Sequence, residues 1–187
     1  MLERLEHHWF APARLRDLAY LRIAVVFVML AGALWPGALE MQLLRSQLPA
    51  EWFVPLPALE LLMVPLGWGT RPGPALITIV WGACCVSGLL ALIGAYTRAS
   101  LAIFAWTSTL LVVHSYSYGT LEHPKAIATI ILWVLLLAPC GAALSLDSMR
   151  ARVAESRRRG RFVPRDGEEM SGDARWPLRL AQWLLVL

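Results

Sequence analysis

The sequence has few charged residues, few cysteines and none of the short motifs that mark nucleotide or hydrolase sites. Asp, Glu, Lys and Arg make up 16% of the 187 residues, against about 25% in an average soluble domain. There is no phosphate-binding loop, dinucleotide fingerprint or Ser-His-Asp order. Cys84, Cys85 and Cys140 have neither the number for a disulfide framework nor the spacing of zinc ligands. We expect buried, inert thiols, no metal and no cofactor.

What the chain has instead is apolar sequence. Hydrophobic residues make up 58% of it and the mean hydropathy is +0.57. Stretches at about 18–35, 74–96, 100–118 and 123–140 each reach roughly the 17–25 residues needed to cross a bilayer. A further stretch, 176–187, provides only about 18 Å of helix against a hydrocarbon core of about 30 Å. We expect that segment to be the first half of a span in a chain that continues, or a helix lying in the membrane interface.

These stretches predict an all-α integral membrane protein. Its fold would be one transmembrane domain, 1–187, with four complete transmembrane helices and a truncated or interfacial fifth, in a chain that is C-terminally incomplete. The second and third spans are joined by the tight turn 92–100, which favours an antiparallel helical hairpin. The first outer loop, 36–73, is rich in prolines and apolar residues, so we expect a short helix or re-entrant segment that caps the bundle.

Arginines indicate the orientation. The loop 148–175 is rich in Arg, which favours the cytoplasmic side of a cell inner membrane. Counting back through the spans places Arg98 and the N-terminus in the cytoplasm as well. Just before that loop, Ser145 can cap a helix that runs into it through about Ser156, and residues 157–171 look polar and mobile. The arginines are typical of a topogenic signal and of contact with anionic membrane lipid, and we expect no nucleic-acid partner.

Ionisable and phenolic side chains gather where the third span ends and the fourth begins. Pro124 favours the first turn of a helix, which places the preceding histidine at the outer mouth of the fourth span. An acid, an imidazole and phenols held between two helix ends could transfer protons or bind a polar head group. The candidates are Glu122, His123, Lys125, His114 and Tyr118, with Tyr116 beside them; we call these residues the mouth cluster.

Two other interpretations of the mouth cluster stay open. It can be an ordinary polar rim, in which Glu122 and Lys125 neutralise each other and the tyrosines belong to the interfacial aromatic belt. Two histidines and one glutamate could also ligate a metal, but a loop of unknown shape is weak evidence for that.

Arg22 falls about one turn inside the first span. We expect its long side chain to snorkel to the cytoplasmic surface. The alternative is a pair inside the bundle, for which Asp17, about one turn earlier, is the nearest acid.

Several stretches together resemble the horizontally transferred transmembrane (HTTM) domain, which relates bacterial membrane proteins to vitamin K-dependent gamma-carboxylases. They are Trp-Phe-Ala-Pro at 9–12, Leu-Ala-Tyr-Leu-Arg-Ile at 18–23, and Leu-Leu-Ala-Pro-Cys-Gly at 136–141 followed by Ser-Leu-Asp at 145–147. In the carboxylase pattern a histidine begins the helix that ends in Ser-Leu-Asp, and His123 stands in that place. The resemblance implies a multi-helix membrane bundle whose site opens on the outer side. The Asn-rich run that precedes the carboxylase histidine is absent, so carboxylation is not predicted.

A second resemblance gives the alternative. The turn at 92–100 is similar to the turn between the second and third helices of DoxX-like four-helix membrane proteins. That likeness implies a non-enzymatic membrane subunit or anchor. The leading hypothesis is an HTTM-like membrane protein of unknown activity, with a lipid or quinone-like small molecule as a ligand at the mouth of the third and fourth spans. Transport is disfavoured because no span carries a charge at mid-depth.

Overall fold

The described part of the chain is almost entirely helical. The computed structural model describes residue 9 and residues 12–64, 67, 69, 71–160 and 170–186. Eight α-helices lie in these ranges: α1 Leu15–Leu34, α2 Ala38–Gln47, α3 Pro57–Met63, α4 Pro74–Ile93, α5 Thr97–Tyr116, α6 His123–Leu137, α7 Leu146–Arg159 and α8 Arg175–Val186. A two-residue antiparallel pair, β1 Ala13–Arg14 with β2 Met170–Ser171, is joined in the register that sets Ala13 opposite Ser171. The prediction of an all-helical fold is confirmed.

Within the described ranges, three helices are long and apolar enough to cross a membrane. They are α1, α4 and α5, with 20 residues each. The fourth apolar helix, α6, has 15 residues, or about 22 Å of length. It is therefore shorter than the stretch 123–140 predicted from sequence, because the backbone leaves the helix at Ala138, just before Pro139. The structure is compatible with a multi-pass membrane protein with three candidate spans and one shorter apolar helix.

Helices α1, α4, α5 and α6 pack as an antiparallel bundle, with α4 and α5 in the closest association. The predicted hairpin of α4 and α5 is confirmed, since only residues 94–96 separate them. Side chains that are fully or almost fully buried fill the centre of the bundle, among them Leu18, Val26, Phe104, Leu110 and Leu135. All three cysteines are free and buried, as predicted. Large apolar side chains also cover the outside of these helices, as expected for surfaces that face lipid.

The bundle has two different ends. One end carries residues 35–64, 71–73 and 117–122, and we call it the loop end. The other carries residues 94–96 and 138–145, and we call it the turn end. At the loop end the predicted short helix is present as α2 and α3, with a 3-10 turn, Ala50–Trp52, between them. Leu59 and Met63 of α3 are fully buried, so α3 packs firmly over the end of α5.

The turn end is held by a buried arginine, and the expectation that Arg22 snorkels to the surface is wrong. Arg22 is 0% exposed. Its Nη1 donates to the carbonyl of Cys140 at 3.0 Å and its Nη2 to the carbonyl of Leu144 at 2.8 Å. Asp17, the alternative partner, is exposed instead. The physical reason lies in the turn after α6, whose carbonyls have no partner within a helix and offer acceptors to the guanidinium.

Asp147 fastens the same turn to the α4–α5 hairpin. Its carboxylate accepts hydrogen bonds from the backbone N–H of Tyr96 at 3.0 Å and of Thr97 at 2.6 Å, and from the Thr97 hydroxyl at 2.8 Å. An acid from another helix therefore caps the N-terminus of α5. The Asp147 N–H returns a bond to the Gly94 carbonyl at 3.1 Å. Gly94 has φ +70°, and a Cβ at this position would collide with Ser145.

The segment after this turn agrees with the predicted cap. Ser145 and Ser148 form a reciprocal capping box that begins α7, and α7 continues through Arg159, slightly beyond the predicted Ser156. Residues 161–169 of the Arg-rich loop lie outside the described residues. The predicted apolar segment at 176–187 is present as α8, which packs against α1 and α6 through the buried Pro177 and Ala181.

Candidate functional site

Part of the mouth cluster lies in one place at the loop end. Glu122 and Lys125 form an ion pair at 2.8 Å, and about half of each side chain, 48%, is exposed. The Tyr116 hydroxyl donates to the backbone carbonyl of Glu122. Pro124 occupies the first turn of α6, as predicted from its position. The hydrogen bond from Tyr116 links the end of α5 to the start of α6. The ion pair between Glu122 and Lys125 is the contact expected if the mouth cluster is an ordinary polar rim.

His123 is separate from these groups. Its side chain is exposed, although it begins α6 between Glu122 and Pro124. It does not line the cavity described below. A catalytic role for His123 stays a prediction from the sequence.

His114 is the buried histidine of the region. It is 0% exposed, and its Nδ1 lies 2.8 Å from Oε1 of Gln42. Because Gln42 donates its amide to Ser115 Oγ at 2.8 Å, its Oε1 is left to accept. Because Oε1 of Gln42 accepts, Nδ1 of His114 is assigned as the protonated donor, and Nε2 keeps a lone pair. Sequence reasoning named His114, but not the glutamine that fixes its tautomer.

Tyr118 packs beside His114 under the loop. The two rings are 5.3 Å apart in an edge-to-face arrangement, and Phe53 lies 5.3 Å from the other side of Tyr118. Among the described residues, neither Nε2 of His114 nor the Tyr118 hydroxyl has a hydrogen-bond partner, although both atoms are buried. Such atoms are costly to leave unpaired and usually bind water or a ligand group.

A cavity of about 890 Å³ opens beside this network, between α1, α2, α4, α5 and α6. Its wall is mainly apolar and includes Val28, Met29, Trp81, Leu111, Val112 and Ala128. Most of its polar residues gather where α2 meets the ends of α5 and α6: Glu40, Gln42, Arg45, Ser115, Tyr116, Glu122 and Lys125. The volume is in the range of small-molecule sites, roughly 300–1,000 Å³, and the pattern of apolar walls with a few polar groups is typical of them.

The structure therefore divides the mouth cluster into three parts. Glu122, Lys125 and Tyr116 line the cavity; His114 and Tyr118 lie behind it; His123 is exposed. Gln42 links the first two parts, because it lines the cavity and also contacts His114.

Sequence reasoning missed Gln42, Arg45 and Ser115 as candidate residues. Arg45 Nη1 donates to Ser115 Oγ at 3.2 Å, in the same network as Gln42. One signal was available: Gln42 and Arg45 are three residues apart, which sets them on one face of a helix. The spacing alone did not single out these two residues, because it could not show that this part of the loop 36–73 forms a helix that packs against α5.

No three His, Cys, Asp or Glu side chains within the described ranges are grouped so that they could hold a metal ion. Comparison of the chain with protein-family models, with curated proteins and with solved structures gave no match. The candidate site therefore has to be interpreted from its own geometry.

Proposed function

We propose that this chain is an integral protein of the inner membrane, of the HTTM type, that binds a lipophilic small molecule in the cavity at its loop end. The observation that supports this most is the cavity itself, which has an apolar wall and a polar end that includes Arg45 and Gln42. An apolar body would replace water along the wall, while a polar head would receive hydrogen bonds at the mouth. A lipid or a quinone-like molecule has both parts.

The proposed topology has four crossings. α6 would complete its crossing with the turn 138–141, and the N-terminus and α7 would both lie in the cytoplasm. The support is the charge distribution: α7 carries five arginines, at 150, 152, 157, 158 and 159, whereas the described part of the loop 36–73 carries two, Arg45 and Arg71. The cavity would then open on the outer side.

Cysteine labelling in intact cells tests this orientation. Gln47 in α2 and Ala154 in α7 are both exposed, so each can be replaced by Cys in a chain whose three native cysteines are replaced by Ala. We expect an impermeant thiol reagent to label Gln47→Cys, and to label Ala154→Cys only after the cells are opened. Labelling of Ala154→Cys in intact cells would overturn the topology.

A cavity-filling substitution tests the binding function. Gly32 lines the cavity, and a Cβ built on it meets no heavy atom within 4 Å. We expect Gly32→Phe to fold and to occupy the volume that the ligand needs. The chain is purified in detergent and washed to remove loosely held lipid. The lipophilic molecules that stay bound to it can then be extracted and quantified by mass spectrometry. The species enriched with the native chain should fall about tenfold in the variant, the change produced by a loss of about 1.4 kcal/mol of binding free energy.

The matched control is Gly82→Phe. Gly82 also lies in a long apolar helix and also has no heavy atom within 4 Å of a built Cβ, but it does not line the cavity. This variant should retain the copurifying species. If no species is enriched with the native chain, or if both variants retain it equally, the ligand-binding function is wrong and a membrane anchor of the DoxX-like kind becomes the better explanation.

A further inference from the structure

The polar end of the cavity contains one cation whose charge is not matched by a carboxylate. Arg45 is half-buried. Its side chain has one hydrogen bond among the described residues, from Nη1 to Ser115 Oγ at 3.2 Å, and no carboxylate of those residues lies within ion-pair distance. A guanidinium has five N–H donors, so most of its capacity is unused. A neutral hydroxyl does not balance its charge.

The other charges at the mouth do not cancel that of Arg45. Glu122 is already paired with Lys125 at 2.8 Å. Glu40, in the first turn of α2, is exposed, and a solvated charge is strongly screened by water and salt. Within the cavity, the half-buried guanidinium is therefore the dominant fixed charge.

A second arginine adds to the positive potential. Arg71 donates to the backbone carbonyls of Ser46 and Leu48 and lies 6.0 Å from the centre of the Phe53 ring, so it is held in place near the end of α2, the helix that carries Arg45. An imidazole ring is neutral or cationic, so His114, which is hydrogen-bonded to Gln42, contributes no negative charge that could offset these arginines.

From these contacts we propose that the cavity selects amphiphiles with an anionic oxygen head, a carboxylate or a phosphate, over neutral molecules of the same shape. This inference rests on the proposed binding function and specifies its ligand class. Arg45 would bind the head in the bidentate way that guanidinium groups bind carboxylates and phosphates, with Gln42 and Ser115 beside it. The apolar chain would lie along the wall formed by Val28, Leu111 and Val112. The volume suits one chain or a compact ring system rather than a bulky diacyl lipid.

Matched probes separate the charge of the head from the apolar chain. The full chain is reconstituted in phosphatidylcholine nanodiscs and labelled with a photoreactive palmitic acid or with its methyl ester, which has the same chain and no charge. We expect the acid to label the protein at concentrations about tenfold below the ester, a preference typical of a charge-assisted hydrogen bond. Competition with unlabelled palmitate and with a lysophosphatidic acid then distinguishes a carboxylate head from a phosphate head.

Arg45→Gln tests the residue, because glutamine keeps a donor for Ser115 and removes the charge. We expect labelling by the acid to fall much more than labelling by the ester, so that the preference for the acid falls about tenfold. The control is Arg157→Gln, which removes one exposed charge from α7, at the turn end.

Three outcomes are decisive. If acid and ester label equally, and Gly32→Phe abolishes both, the cavity binds lipophilic molecules but the anionic-head inference is wrong. If Arg45→Gln retains the full preference for the acid, the inference is wrong as well. If Gly32→Phe leaves labelling by both probes unchanged, the proposed binding function itself fails.

Discussion

Arg22→Met is expected to be the most destabilising single substitution at the turn end. Methionine retains much of the apolar stem but removes the two hydrogen bonds to the carbonyls of Cys140 and Leu144. Hydrogen bonds that involve a charged group are worth about 1.5–3 kcal/mol each, so the loss is about 3–6 kcal/mol. The carbonyls are left without a partner in a region where Arg22 itself is fully buried. Thermal unfolding of the purified chain in detergent, compared with the native chain, measures the effect.

A matched control separates this role from the general effect of removing a positive charge. Arg98, in the first turn of α5, is exposed at the same end of the bundle. Arg98→Met should change the unfolding temperature little, because an exposed charge contributes about 0–1 kcal/mol. Arg22→Lys should recover only part of the loss, since one ammonium does not have the fork of donors that reaches two carbonyls. If Arg22→Met unfolded at the native temperature, the two hydrogen bonds would contribute nothing to stability.

The helical bundle could be predicted from the sequence because its signals are local. Long apolar runs, with Pro74 in the first turn of α4 and Gly94 directly after it, mark the ends of that helix to within a few residues. The capping box begun by Ser145 is likewise contained in four residues. The fate of Arg22 could not be predicted, because its partners are backbone carbonyls more than a hundred positions away. Every residue has a backbone carbonyl, so the sequence does not indicate which carbonyls accept hydrogen bonds from Arg22.

The candidate site was only partly predictable for a similar reason. Glu122 and Lys125 are three residues apart at the start of a helix, and their pairing follows from that spacing. The environment of His114 depends on Gln42, which reaches it from a helix inside the loop 36–73. Prolines and apolar residues in that loop predicted a cap over the bundle, but not which of its polar side chains would face inward. Arg45 therefore could not be told apart from the other polar residues of the loop until the structure placed α2 against α5.

The stability contributed by Asp147 is expected to depend on pH in a defined direction. Hydrogen bonds to its carboxylate, first from the backbone N–H of Thr97 and then from the Thr97 hydroxyl and the Tyr96 N–H, hold the pKa of Asp147 below its ordinary value of 3.8. A depressed pKa in the folded state means that folding favours the ionised form. The contribution is therefore complete above about pH 5, where Asp147 is ionised in the unfolded chain as well, and it is lost as the pH falls further through the lowered folded-state pKa.

Asp147→Asn removes the charge at every pH and so isolates this contribution. At pH 7 we expect the variant to be less stable by about 0.3–1 kcal/mol, because asparagine keeps one acceptor oxygen but loses the negative charge beside the N-terminus of α5. Between pH 4 and pH 2.5 the difference between variant and native chain should shrink towards zero, because the native carboxylate becomes protonated. Melting temperatures of both chains across this pH series give the result, with Asp17→Asn as a control that removes an exposed carboxylate from α1. A difference that stays constant down to pH 2.5, or that is absent at pH 7, would show that an ionised Asp147 does not cap α5.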